Sequence, residues 1–471
     1  MKREKKMKAR EMRALGIPAG ELVQVALKAV AAERKSGLGM SEIRDRIRAL
    51  VADAETFRND ATLGRLADAL LARQEARASY APRMESAPFR QWGQDLEPQS
   101  VQQLENACKL PVAVRGALMP DAHLGYGLPI GGVLATRGAV IPYAVGVDIA
   151  CRMKMTVLDL PESMLHGDLN PLKEAIDRET RFGIGAHFKR RREHAVMDDH
   201  WGVTALTGKL KDKAWSQLGS SGSGNHFVEF GMLQIDTDRL GLEPGRYLSL
   251  LSHSGSRGAG ATVAGHYSKL AMAQHPELPD ELVHLSWLDL DSEEGQEYWE
   301  AMELMGRYAA ANHSCIHRHI AEHLGAQVML DLENHHNFAW KEEHDGETVI
   351  VHRKGATPAG EGVLGIIPGS MASATHVVRG KGNPESMDSA AHGAGRLMSR
   401  TRAKKMFQWS DVQKLLDDRG VTLLSAGIDE APMAYKDIEA VMAAQQDLVE
   451  SLAQFQPSLV KMAPAGERPE D

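Results

Sequence analysis

The chain has 471 residues and carries 55 Lys and Arg against 63 Asp and Glu, a formal net charge of −8. Hydrophobic residues make up 43% and charged residues 25%, a composition typical of a folded globular protein that excludes a disordered chain or a uniformly basic nucleic-acid coat. A local basic patch is still enough to hold RNA or DNA.

Targeting signals and disulfides are not expected. No run of about 18 apolar residues occurs, so the sequence predicts no transmembrane helix. The basic N-terminus lacks the apolar core of a secretory signal. Three cysteines, Cys108, Cys151 and Cys315, are too few for a disulfide framework. We therefore expect a cytoplasmic protein with reduced thiols.

The first 76 residues have a helical pattern. Residues 21–34, ELVQVALKAVAAER, place apolar residues on one broad helical face. Ser41 is the predicted N-cap of a second helix, and a third helix is predicted at about 62–76. This segment contains neither cysteine nor histidine. We predict a helical accessory extension over residues 1–76, either an interaction domain or a brace.

From about residue 86, short β-branched runs alternate with glycine-rich loops. In CRMKMTVLDL (151–160), Cys151 and every second residue after it face one way, and the residues between them face the other. We predict one large mixed α+β domain over residues 86–462. The last nine residues, 463–471, are predicted to be disordered.

Five segments combine an apolar run with a loop of small residues. Glycine lets backbone N–H groups approach an anion, so five such loops in one domain predict an anion-binding cavity. None matches the P-loop or dinucleotide-binding patterns. The segments are LMPDAHLGYGLPIGG (118–132), LGSSGSGNHFVEF (218–230), YLSLLSHSGSRGAG (247–260), VLGIIPGSMASA (363–374) and DSAAHGAGRLMSR (388–400).

Several potential metal ligands lie in or just after predicted strand ends. One thiol, one carboxylate and several imidazoles suit a divalent transition metal better than Ca²⁺, and a closed structural zinc site would use more cysteines. Each histidine alone is more simply a hydrogen-bonded polar residue, but the set together favours a metal centre. It leaves Mn²⁺, Zn²⁺, Co²⁺ and Fe²⁺ open. The candidates are Asp148, Cys151, His226, His253 and the pair His335–His336.

Three basic residues can each be interpreted in two ways. Arg353 and Lys354 follow a predicted strand in VIVHRKGATPA, and Arg257 lies in SGSRG. Each is interpreted either as a phosphate-binding residue or as part of a surface turn.

Taken together, the motifs over residues 86–462 closely resemble the RtcB-type RNA ligase family. This resemblance implies packed sheets flanked by helices and a ligase that uses GTP and two Mn²⁺ ions. Such enzymes join RNA 3′-phosphate or 2′,3′-cyclic phosphate ends to 5′-hydroxyl ends in RNA repair or tRNA splicing, and some need an activating protein partner. The matching motifs are LMPDAHLGYGLPIGG, GVDIAC, GSGNHFVE, SHSGSRG, HHN, VHRKGAT, IPGSM, HGAGRLMSR and DEAPMAYKDI.

The resemblance also implies residue roles. His392 would attack the α-phosphate of GTP and carry GMP to the RNA 3′-phosphate. Cys151 would bridge the two ions. The other implied ligands are Asp148 and His226 for one ion, and His253 and His336 for the other, with His335 the weaker candidate. The implied nucleotide contacts are Asn225 to phosphate, Glu229 and Lys461 to guanine, Ser370 in the nucleotide loop and Tyr435 against the base.

The sequence departs from the family pattern in a few places. Arg152 follows Cys151 where glycine is usual, Ala391 precedes His392 where cysteine is common, and Thr375 stands where a nucleotide-contacting serine is expected. The chain also continues past Lys461. These differences bear on substrate choice and rate. Two other functions stay open: a binuclear metal phosphodiesterase, and an RNA-end binding protein with little ligase activity.

Overall fold

The chain forms two compact units, and each is described by itself. The computed structural model describes residues 7–18, 21–78 and 80–467. The helical unit comprises Met1–Ala81 and His275–Asp280, and the sheet unit comprises Pro82–Gln274 and Glu281–Asp471. Of the predicted disordered tail, residues 463–467 are described and contain a turn at residues 465–466, and residues 468–471 lie outside the described part.

In the helical unit, the three predicted helices are present. The unit contains α1 (Ala9–Ala14), α2 (Glu21–Lys35), α3 (Met40–Ala52) and α4 (Gly64–Ala78). Their apolar faces form a core that includes Met12, Ile43, Ile47 and Leu50, all fully buried. The predicted N-cap was wrong: the extended residue before α3 is Gly39, and Ser41 lies within the first helical turn.

The sheet unit mixes helices and strands, as predicted. Its helices are α5 (Pro98–Cys108), α6 (Pro142–Val145), α7 (Asn170–Glu179), α8 (Ala205–Gln217), α9 (Arg257–Gln274), α10 (Glu293–Leu324), α11 (Arg400–Met406), α12 (Trp409–Asp418) and α13 (Ile438–Ala443). Across the described residues, no helix combines the length and the apolar character needed to cross a membrane.

The strands of the sheet unit are β1 (Phe89–Gln91), β2 (Ala113–His123), β3 (Ile130–Thr136), β4 (Ala139–Val140), β5 (Arg152–Leu158), β6 (Phe227–Ile235), β7 (Gly245–Ser254), β8 (Leu288–Asp289), β9 (Val328–His335), β10 (Phe338–His344), β11 (Glu347–Lys354), β12 (Ala356–Pro358), β13 (Leu364–Ile367), β14 (Thr375–Gly380), β15 (Ser389–Ala391), β16 (Thr422–Ser425) and β17 (Val449–Met462). The smaller main sheet has the order β1-β2-β3-β11-β10. The larger has the order β13-β14-β17-β6-β7-β5-β9, with β16 beside β17.

The larger sheet curls until its two outer strands, β9 and β13, almost close it. The side chain of Asn334 on β9 replaces the missing backbone pairing: its Oδ1 accepts from Ile366 N–H at 3.0 Å, and its Nδ2 donates to Ile366 C=O at 3.3 Å. A single amide thus satisfies both backbone groups of one β13 residue.

Strand β5 lies inside this sheet and is buried on both faces. Met153, Met155 and Val157 pack into an apolar cluster, which confirms the alternation predicted from the sequence. The opposite face is polar, where Arg152 Nη1 lies 2.9 Å from Glu333 Oε1. The two faces of one strand therefore serve an apolar core and a buried polar layer.

The antiparallel register brings several loop residues to one edge. Strand β5 pairs with β7 and with β9, so that Arg152 lies opposite Ser254 and His335. Strand β6 pairs with β7, which places Phe227 opposite His253. Because these pairs are antiparallel, the starts of β5 and β6 and the ends of β7 and β9 meet at the same edge.

Candidate metal centre and nucleotide cavity

The five predicted metal ligands converge at this edge. Cys151 Sγ lies 3.4 Å from His226 Nε2 and 3.1 Å from His253 Nε2. On one side, His226 Nε2 lies 3.0 Å from Asp148 Oδ2. On the other side, His253 Nε2 lies 3.3 Å from His336 Nε2. Two groups of three donor atoms, each group within 4.8 Å, therefore share the Cys151 sulfur.

The site favours a neutral His253 imidazole and a charged Asp148 carboxylate. Burial and the neighbouring histidines lower the pKa of His253 to about 3. The Nδ1–H of His253 donates to Asn225 C=O at 3.1 Å, which leaves its Nε2 facing the thiol. Burial opposes the charge of Asp148, but its hydrogen bond with His226 holds the carboxyl pKa below its usual value. These are the protonation states in which such side chains bind metals.

The loop that holds Asp148 leaves no room for a side chain at Gly255. A Cβ on Gly255 would lie 2.1 Å from Asp148 Oδ1. The next backbone N–H, that of Ser256, donates to the same carboxylate oxygen at 3.2 Å. The glycine of SHSGSRG therefore lets strand β7 turn tightly over the carboxylate.

The donor set fits two divalent transition-metal ions. Thiolate, imidazole and carboxylate together suit such ions, and three protein donors for each ion leave positions for water or substrate. The structure brings His336 to the donors. His335 lies instead against the Phe338 and Trp340 rings, with ring centres 5.2 and 5.1 Å away.

His392 lies beside these donors. Its ring centre is 4.7 Å from that of His336. Its Nδ1 lies 2.7 Å from Oδ2 of Asp121, a fully buried carboxylate on β2. Because a carboxylate accepts the hydrogen bond, the Nδ1 carries a proton, and in the neutral ring the lone pair is then on Nε2. The arrangement orients the imidazole as a nucleophile.

One cavity connects the metal donors with four of the predicted nucleotide contacts. It encloses about 1060 Å³ including its mouth, and its wall includes Asn225, Glu229, Ser370 and Tyr435. Glu229 is 4% exposed, and burial raises its pKa to about 8. The Asn225 side-chain oxygen is buried without a hydrogen-bond partner among the described residues. Polar groups thus face the space that a ligand would occupy.

Tyr435 is held in place at this wall. The Arg396 guanidinium carbon lies 5.1 Å from the centre of the Tyr435 ring, and the Tyr435 hydroxyl donates to the Glu430 carboxylate. Thr375, one of the departures from the family pattern, is buried and also lines the cavity.

Lys461 does not reach the cavity, so its predicted contact with guanine needs correction. Its neighbours Val460 and Met462 line the cavity, and alternate residues of a strand face opposite sides. The Lys461 ammonium instead pairs with Asp177 and lies 5.4 Å from the centre of the Phe182 ring.

Four other cations also lie away from the cavity wall. Arg152 is 5% exposed and pairs with Glu333, so it does not extend toward the metal donors. The other three are Arg257, Arg353 and Lys354. They are buried, which contradicts a surface turn, and they do not line the cavity, which contradicts phosphate binding there. Arg353, for example, makes a bidentate ion pair with Glu342 at 2.7 and 3.0 Å.

Sequence reasoning missed Asp121, His123, Arg396 and Glu430, which lie in or around the cavity. All four stand inside motifs that were quoted for other reasons: MPDAH, HGAGR and DEAPMAYKD. Membership in these motifs was the available signal, because none of the four lies within two positions of a predicted site residue.

Known RNA-splicing ligases are similar to this chain in sequence. The profile of the family described as tRNA-splicing ligase RtcB matches residues 103–462. RNA-splicing ligase RtcB of Escherichia coli (strain K12) is 36% identical over 402 residues, which cover 78% of this chain and 95% of that protein. The tRNA-splicing ligase RtcB of Methanococcus maripaludis is 32% identical over 452 residues, covering 79% of this chain and 92% of the relative.

A third relative, RNA-splicing ligase RtcB of Mycobacterium bovis, is 33% identical over 429 residues, covering 75% of this chain and 98% of the relative. The family profile spans most of the chain, and its range contains every cavity-lining residue. The chain belongs to the RtcB family of RNA-splicing ligases.

Proposed function

We propose that this chain joins RNA 3′-phosphate or 2′,3′-cyclic phosphate ends to 5′-hydroxyl ends with GTP as the activating nucleotide. The observation that carries the proposal is the contact between His392 and Asp121, because a metal-dependent phosphodiesterase needs water as its nucleophile and no oriented imidazole. The lone pair of His392 Nε2 and the metal donors border one cavity.

In the proposed first step, His392 Nε2 forms a bond to the α-phosphorus of GTP while the bond to pyrophosphate breaks. Asp121 accepts the Nδ1–H and stabilises the positive charge that develops on the ring. In the second step, an oxygen of the RNA 3′-phosphate bonds to this phosphorus and the His392–phosphorus bond breaks, giving RNA(3′)pp(5′)G. In the third step, the 5′-hydroxyl attacks the RNA phosphate, GMP leaves and the strands are joined. A cyclic phosphate is opened by water beforehand.

Two Mn²⁺ ions are the proposed cofactors. When bound, such a pair neutralises phosphate charge and aligns the reacting oxygens. Asp148 and His226 would hold one ion, His253 and His336 the other, with the Cys151 thiolate between them. The shared sulfur position supports this assignment.

The proposed nucleotide contacts are the four that line the cavity. The ionised Glu229 carboxylate would accept from N1–H and the exocyclic amine of guanine, whereas adenine N1 only accepts. Tyr435 would pack on the base, and Asn225 and Ser370 would contact phosphates. A cytoplasmic location and an activating protein partner stay predictions from sequence.

Incubation with α-labelled GTP and Mn²⁺ tests the proposal. Label should stay on denatured protein, be released by mild acid as a phosphoramidate would be, and vanish in His392→Ala. His187→Ala removes an exposed histidine outside the cavity wall and should label normally. Cyclic-phosphate hydrolysis without labelling would instead support the phosphodiesterase, and RNA-end binding without either reaction would support a binding protein.

A further inference from the structure

The loop between β2 and β3 presents two large apolar side chains beside the cavity. It follows His123 and precedes Ile130, both of which line the cavity. Within it, Tyr126 is 71% exposed and Leu124 is 49% exposed. Single exposed apolar residues are common on protein surfaces, so the position of this pair needs further support.

The backbone of this loop is fixed although its side chains are exposed. Leu124 N–H donates to Glu97 Oε2 at 3.0 Å. Gly125 exchanges two hydrogen bonds with the Gln103 amide, at 3.0 and 2.6 Å. A side chain projecting from a fixed backbone loses little conformational freedom on binding, which favours a binding role.

The Tyr126 end of the loop is also fixed from within the protein. The buried ammonium of Lys354 donates to Tyr126 C=O. The Tyr126 ring meets the His284 ring at 82°, with 5.9 Å between ring centres. This contact is not a face-to-face stack, so His284 orients the phenol ring without covering it as a stacked partner would.

Further exposed apolar side chains lie next to residues of the cavity wall. Leu397 is 59% exposed and follows Arg396, and Val147 is 37% exposed and precedes Asp148. Exposed apolar residues therefore occur next in sequence to several segments of the cavity wall, and the cavity interior carries the metal-ligand candidates and His392. A nucleic-acid end has the matching chemistry, because its phosphate is anionic and its base has apolar faces that stack on aromatic rings.

We propose that Tyr126, with Leu124 beside it, is a stacking platform for the terminal base at the 3′-phosphate end of the substrate RNA. This inference rests on the proposed function. The 3′ end is chosen over the 5′ end because its phosphate must reach the guanylate on His392. Asp121, which holds His392, lies on the same strand, β2, that leads into the platform loop.

Activation of an RNA 3′-phosphate to RNA(3′)pp(5′)G, measured without a 5′-hydroxyl strand, tests the platform. We expect Tyr126→Ala to raise the KM for RNA about tenfold to a hundredfold, the range for losing one base–aromatic stack. Tyr126→Phe keeps the ring and should restore the wild-type KM. Met84→Ala, which shortens a fully exposed side chain in a segment without cavity-lining residues, is the matched control.

Substrates that lack one base identify the contact. An RNA with an abasic 3′-terminal nucleotide should bind wild type and Tyr126→Ala equally weakly, because the stacked base is already absent. In the complete ligation reaction, an abasic 5′-terminal nucleotide in the joining strand should leave the Tyr126→Ala defect in full. An unchanged KM in Tyr126→Ala, or a defect abolished only by the 5′ abasic strand, would overturn the proposal.

The first reaction step separates this inference from the proposed function. Labelling by α-labelled GTP needs no RNA, so it reports folding and nucleotide chemistry in each variant. Absence of labelling in the wild-type protein would remove the proposed function itself. Normal labelling together with a KM for RNA that does not depend on the Tyr126 ring would contradict the stacking platform and leave the proposed function intact.

Discussion

The buried surroundings of Glu229 disfavour the ionised form of its carboxyl group. Burial raises its pKa to about 8, so near neutral pH most molecules without nucleotide carry it protonated. Guanine offers two donors and favours the ionised form. Binding of a guanine nucleotide below pH 8 should therefore release a proton from Glu229.

The affinity for GMP, which has no leaving group to transfer, should accordingly rise with pH up to about 8, by at most about tenfold per pH unit. Glu229→Gln keeps the size of the side chain but cannot ionise. It should lose this pH dependence and weaken GMP binding about tenfold to a hundredfold, the range for hydrogen bonds to a charged group. Isothermal titration from pH 6.5 to 8.5 measures both effects. AMP is the control ligand, and unchanged GMP binding by Glu229→Gln would refute the assignment.

Single residues also show what the sequence could not supply. Motifs predicted the candidate metal ligands and His392, which the structure brings together, because they place reactive side chains at strand ends. They did not reveal which side of a strand a residue faces: Lys461 alternates with Val460 and Met462 and so faces away from the cavity. They also did not reveal that Arg353 is committed to Glu342. Such outcomes depend on register and on partners distant in sequence.

At the scale of elements, the closure of the larger sheet lies next to one end of the candidate metal centre. Asn334 joins β9 to β13 through Ile366, and His336 follows two residues later. No local pattern predicts this closure, because β9 and β13 are separated by three other strands in the chain and only the curvature of the sheet brings them together.

Asn334→Ala should remove both hydrogen bonds and leave the buried Ile366 N–H and C=O without these partners. We expect a loss of about 2–3 kcal/mol in the free energy of unfolding and weaker Mn²⁺ binding, since His336 loses its support. Urea denaturation and Mn²⁺ titration measure the two effects. Gln102→Ala, at an exposed amide on α5, should change neither. Full stability and full metal affinity in Asn334→Ala would show that backbone pairing nearby is sufficient.

At the scale of the whole molecule, the two units have different composition as well as separate cores. Residues 1–81 carry 17 Lys and Arg against 11 Asp and Glu, although the whole chain carries more acidic than basic residues. Helical periodicity predicted α2, α3 and α4 of this segment but not the short α1, because each of those three has an apolar face long enough to recognise. The accessory extension over residues 1–76 stays a prediction, and independent folding of this segment would support it.

Leu50→Ala tests that independence. Leu50 is fully buried in the core of the helical unit, and its truncation should cost about 2–5 kcal/mol there. We expect calorimetry to show two transitions, of which only one moves, while kcat for ligation is unchanged. Leu104→Ala, equally buried in the sheet unit, should move the other transition. A single transition shifted by both variants would contradict independent folding.

The proposed nucleophile and the candidate metal ligands belong to different sheets. Asp121 lies on β2 of the smaller sheet and His392 follows β15, whereas the metal donors line the edge of the larger sheet. An apolar cluster that includes Met119 of β2, Ala390 of β15 and Val378 of β14 packs these sheets together. If these sheets shifted relative to each other by a fraction of an ångström, the distance from the His392 imidazole to a bound phosphorus would change. No metal ligand would have to be altered. Conservative substitutions in this apolar cluster should then slow phosphoryl transfer, while the affinities for metal ions and nucleotide stay the same. The alignment of the reacting atoms would thus depend on how rigidly these apolar side chains pack.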